Sequence, residues 1–152
     1  MKHVLLSLFV SLLLLGNTGL AAGANNRQLV LVTYSTTGVT SLSTSEIHKL
    51  FLGLPVEKEG RSLEAIINRS DPLLYEIFLQ KVVYMSSMAY DRHLLANVIQ
   101  LGGQRPRIFN DTQSLIRDLK QNPGTVTVLW DSDLKTTSNL TVLGEVWHGP
   151  VE

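Results

Sequence analysis

Four consecutive apolar residues, Leu29-Val30-Leu31-Val32, within the stretch Arg27 to Tyr34, constrain this chain more than any other feature. Successive side chains of a strand point to opposite faces, so a run that is apolar at every position needs cover on both sides. A sheet with one wet face cannot provide it. The run therefore predicts a central strand in an α/β domain, with helices on both faces of a mostly parallel sheet.

The rest of the chain supplies those helices. Ser43-Thr44-Ser45-Glu46 has the S-x-x-E form of a capping box, and Ile47, Leu50, Phe51 and Leu54 follow at helical spacing until Gly53 and Pro55 stop the helix. A second strand fits Leu63 to Ile67, and two strands joined through a helix predict a right-handed parallel crossover. Asp71-Pro72 is an N-cap with proline at the first helical position, and Leu74, Ile77, Phe78 and Val82 form one apolar stripe. A third helix starting at Ser86 or Ser87 is predicted to turn Tyr90, Leu94, Val98 and Leu101 inward, and it ends at Gly102-Gly103. Gln104-Arg105-Pro106-Arg107 then forms an exposed basic loop. Asp111 caps a fourth helix carrying Leu115, Ile116 and Leu119, which ends near Asn122 because Pro123 disfavours helix in the residue before it. Thr125 to Trp130 and Leu140 to Trp147 complete the sheet.

Residues 1–24 have a different character. Lys2, the apolar stretch Val4 to Leu15, and the small-residue segment ending Ala22-Gly23-Ala24 follow the order of a secretory signal peptide. Cleavage is expected after Ala24, with Ala22 the other candidate position. The apolar run falls short of the roughly 20 residues that span a bilayer, so no stable membrane insertion is expected once it is removed. Residues 25–152 then form one domain, exported and, in a Gram-negative host, periplasmic. The chain has 13 basic and 13 acidic side chains, and removal of Lys2 leaves 12 against 13. That balance excludes general attraction to nucleic acid. With no cysteine, neither a disulfide nor a thiolate metal site is available.

No constellation suggests catalysis, a metal or a cofactor. His48, His93 and His148 fall in different elements and outside any H-x-x-x-H setting; no G-x-S-x-G elbow or phosphate-binding glycine loop occurs. Glu57, Glu59 and Glu64 near the second strand read as solvated charges. The segment that merits weighing is Asn68-Arg69-Ser70-Asp71, where a strand ends and a helix begins. Ligands of α/β sheets bind at such places, because free N–H groups and the helix dipole favour an anion. Arg69 offers a two-pronged donor for phosphate, sulfate or carboxylate. The same residues also read as a plain cap: Asp71 the N-cap, Ser70 a turn residue, Arg69 a solvated or ion-paired charge.

The stretch Leu42 to Gly53, L-S-T-S-E-I-H-K-L-F-L-G, resembles the L-(S/T)-x-x-E-I-x-x-I-F-x-G segment of periplasmic phosphate-binding proteins that serve ABC importers. The order continues with a strand at Gly60 to Ile67, then Arg69-Ser70-Asp71, a helix bearing Phe78, Gly102-Gly103 before Pro106, and the Asn122-Pro123-Gly124 turn into a strand. The resemblance covers nearly all of residues 25–152 and implies a single lobe of a periplasmic-binding-protein-like fold, with Arg69, Ser70 and Asp71 as ligand-binding residues. It also exposes a departure. The family follows Arg-Ser-Asp with Gly-Ser-Gly-Thr, whereas Pro72-Leu73-Leu74-Tyr75 stands here and supplies fewer N–H groups and no serine or threonine hydroxyl. Two functions follow from it. One is a domain that binds a small anion such as phosphate weakly or across a homodimer. The other is a cell-envelope protein-interaction module that kept the fold and lost ligand binding.

Overall fold

The computed structural model describes residues 25–102 and 105–151. The predicted signal segment 1–24, and Gly103 and Gln104 at the start of the basic loop, lie outside the described residues. Strand β1, Asn25–Tyr34, is an interior strand of the main sheet, and its alternation sorts the two cores. Leu29 and Leu31 join the larger apolar cluster on one face, while Val30 and Val32 join the smaller one on the other. The double-sided run thus does what its composition requires.

Helices cover both faces. On the larger side lie α1 (Thr44–Phe51), α2 (Pro72–Phe78) and α3 (Ser87–Leu101), whose Leu50, Phe51, Leu74, Phe78, Tyr90 and Leu94 pack on the sheet. On the smaller side, α4 (Thr112–Gln121) contributes Leu115 and Leu119. A one-turn helix, α5 (Asp131–Leu134), adds Leu134 at the margin. The capping box of α1 is complete, Asp71 and Asp111 cap α2 and α4 as predicted, and of the two expected starts of α3 Ser86 is its cap. The Leu74, Ile77, Phe78, Val82 stripe is wholly buried, although α2 itself ends at Phe78 and the chain continues through a wider π-type turn, Leu79–Val83. Two inward assignments on α3 fall short. Val98 is only half-buried. Leu101 is 62% exposed, because the last turn of α3 runs past the edge of the core that Tyr90 and Leu94 fill.

The α/β class holds, but the sheet is mixed. Its order is β2 (Val56–Lys58), β3 (Arg61–Ala65), β6 (Thr125–Trp130), β1, β7 (Leu140–Val151). Only β3 and β6 run parallel in it; β1 is antiparallel to both β6 and β7, and β2 to β3. The expected parallel crossover from β1 to the second strand does not form. All six residues of β6 are buried, so β6 takes the interior place beside β1, and β3, buried only at Leu63 and Ala65, is displaced outward. The predicted strand Leu63 to Ile67 is also divided. Past Ala65 the chain leaves the sheet, and β4 (Ile67–Asn68) pairs in parallel with β5 (Ile108–Phe109). That small pair lifts the next residues, Arg69, Ser70 and Asp71, to the rim where α2 begins.

Candidate functional site

Asn68 fixes this rim. Its side chain is buried, its amide donates to the Val128 carbonyl at 3.0 Å, and its Oδ1 accepts from the Ser70 N–H at 2.9 Å and the Ser70 hydroxyl at 2.7 Å. The turn is an Asx type, in which a short amide side chain stands in for backbone. Thr112 Oγ1, in the first turn of α4, lies 3.2 Å from Ser70 Oγ and donates to it. Ser70 is therefore tied between β4 and α4.

Asp71 is committed on both oxygens. Oδ1 accepts from the N–H groups of Leu73 at 2.8 Å and Leu74 at 3.2 Å, capping α2, and Oδ2 accepts from the Trp130 indole N–H at 2.9 Å. Arg27, whose guanidinium lies 5.2 Å from the Trp130 ring centre, approaches Oδ2 at 3.9 Å. Burial opposes the Asp71 charge, but the indole, the two amides and Arg27 outweigh it and hold the carboxyl below its ordinary range. Asp71 is thus an anion at neutral pH.

Arg69 leans the other way. Its N–H bonds the Phe109 carbonyl at 2.8 Å, while Nη2 donates to the Tyr75 hydroxyl at 2.7 Å and to Asp91 Oδ1 at 2.9 Å. The guanidinium also lies 4.6 Å from the centre of the Tyr75 ring, a cation–π distance. Arg105 reaches the same Asp91 oxygen at 3.7 Å. Arg69 Nε is buried without a hydrogen-bond partner.

The three side chains singled out from the sequence thus serve three neighbours: Arg69 serves α3, Ser70 serves α4, and Asp71 serves the sheet and its own helix. Sequence reasoning missed Asn68 as the organiser, and missed Tyr75, Asp91 and Trp130 as partners. Asn68 alone had a local signal, an amide side chain three residues before a cap. The histidines also have separate partners: His48 Nδ1 lies 2.7 Å from the Val82 carbonyl, His93 Nε2 3.0 Å from that of Leu52, and His148 Nδ1 2.6 Å from Glu145.

No protein-family model matches the chain, and no curated protein does. Among solved structures it is similar to PstS from Borrelia burgdorferi, with a TM-score of 0.58 and 12% identity, over 78% of this chain and 47% of that one. The fold is PstS-like. At this identity the likeness concerns the fold alone, and the chain spans about half the length of that protein. The sequence resemblance and the structural one agree on the architecture. Among the described residues no helix is long and apolar enough to cross a membrane.

Proposed function

We propose that this chain is a non-catalytic binding domain of the periplasm that works by contacting protein, with Arg69, Ser70 and Asp71 serving the fold. One observation carries the reading: Arg69, the cation that would grip an anion, is held by Asp91 and Tyr75. Releasing it costs those bonds. The neighbouring groups add to this, since the ionised Asp71 repels an anion and Pro72 has no N–H to offer one. The signal-peptide pattern supports the periplasmic part of the reading, and the PstS-like fold supports a binding role.

The small-anion reading keeps one feature in its favour. Two guanidinium groups, Arg69 and Arg105, meet a single carboxylate at Asp91, which leaves local positive charge. Calorimetric titration with phosphate and sulfate separates the two. The protein-contact reading expects no heat at millimolar anion, and it expects Arg69→Ala to lower stability by about 1–2 kcal/mol through the lost ion pair and ring contact. Phosphate binding that disappears in a folded Arg69→Ala protein would overturn it.

A further inference from the structure

Helix α3 turns Tyr90 and Leu94 into the core and leaves its opposite stripe bare. Met88, Leu95 and Ile99 are 70%, 49% and 75% exposed. Arg92 stands between them, and the positions 88, 92, 95 and 99 keep the spacing of one helical face. The charges at its centre are only half used. Asp91 spends Oδ1 on Arg69 and Arg105, while its Oδ2 accepts no hydrogen bond among the described residues. Arg92, next to it, makes no ion pair there.

We propose that α3 is the contact face of a homodimer, paired antiparallel with α3 of a second copy about a two-fold axis between Asp91 and Arg92. The proposal rests on the protein-contact reading and names its partner. The argument for a second copy is that the face is its own complement. Read forward, Met88, Asp91, Arg92 and Leu95 run apolar, acid, base, apolar; read backward, they run apolar, base, acid, apolar. A two-fold axis sets residues equally distant from it against each other and makes every contact twice. Arg92 then meets the free oxygen of the partner's Asp91. Met88, three residues before Asp91, meets the partner's Leu95, three residues after Arg92. An axis one half-step along, through Arg92, sets like charge on like, so the charges select the register. The apolar side chains are few, and so the pairing is concentration-dependent.

Sedimentation equilibrium of the protein purified after expression of the full chain tests this. The expected result is a mass that rises from one chain to two between roughly 1 μM and 1 mM. Met88→Lys and Leu95→Asp, both at exposed positions, should each weaken self-association at least about tenfold without lowering the thermal midpoint. Mixed in equal amounts, the two variants should recover the dimer, since the introduced ammonium faces the introduced carboxylate on one side of the axis while Leu95 and Met88 meet on the other. A wild-type monomer at the highest concentration overturns the proposal, as does a dimer that survives both substitutions or a mixture that stays monomeric. A monomer that gives no heat with phosphate leaves the protein-contact reading standing with an unlike partner. A monomer that binds phosphate removes both.

Discussion

Phe78 joins three helices through its ring. It meets Phe51 of α1 edge-on with centroids 4.9 Å apart, meets Tyr90 of α3 at 5.8 Å, and stacks on Tyr75 at 6.0 Å. Phe78→Ala should therefore cost about 3–5 kcal/mol in chemical denaturation, and a loss below about 0.5 kcal/mol would mean that the ring is not in the core. Tyr90 closes the cluster by donating its hydroxyl to the Phe51 carbonyl at 2.6 Å, and burial pushes its phenol pKa up. Glu46 shows the same local logic at the surface. The Ser43 N–H above all, then Lys58 and the Ser43 hydroxyl, lower its pKa from 4.5 to about 2. A carboxylate with a depressed folded pKa stabilises fully above its unfolded value and loses that contribution as the pH falls through the folded one. The thermal midpoint of the wild type should exceed that of Glu46→Gln at neutral pH, and the gap should close as the pH drops from about 4.5 to about 2. A gap that does not change with pH would assign the effect to something other than the charge.

At the level of elements, local signals were read well and pairings were not. The box at Ser43 to Glu46, the caps at Asp71 and Asp111, and the double-sided run of β1 all act within a few residues, so spacing reveals them. The direction and order of strands depend on bonds between residues far apart, such as Leu31 with Val128, and periodicity carries no record of them. The candidate site follows the same rule. Asp71 as a cap was legible from its neighbours, whereas its partner Trp130, 59 residues away in sequence, and Arg69's partner Asp91, 22 residues away, were not. The π-type turn at Leu79–Val83 also escaped, because its side chains keep the buried stripe while the backbone widens. Gly124 is a case where the turn signal and the sheet meet. It has φ +104°, its carbonyl accepts from Glu64 N–H at 3.0 Å, and a Cβ there would lie 3.2 Å from the Ser62 carbonyl oxygen. Gly124→Ala should destabilise by more than about 1 kcal/mol in thermal or urea melts, through backbone strain and this contact at the β3–β6 junction. An unchanged midpoint would show that the junction can relax.

At the scale of the whole molecule, a chain about half the length of PstS from Borrelia burgdorferi forms a sheet with its own two-sided core, and Arg69, Ser70 and Asp71 at its rim bond to the helices and the sheet around them. The wiring of the sheet has a further consequence, for the order in which the fold can be made. Both neighbours of β1 come from the far end of the chain: Leu29 pairs with Trp130 on one side and with Trp147 on the other. The most apolar strand therefore has no partner until about a hundred further residues have been made or delivered. Contacts this distant form late and slowly, after the entropy of closing a long loop has been met. In a chain that emerges β1 first, from a ribosome or through a channel, β1 thus stays unpaired until β6 follows it. Under the periplasmic reading proposed above, delay is useful, since a sheet that closed early would block a narrow passage. The cost is an unguarded Leu29-Val30-Leu31-Val32 segment during transit, with the composition that invites association between chains. Whatever holds the nascent chain before β7 arrives has that segment to protect.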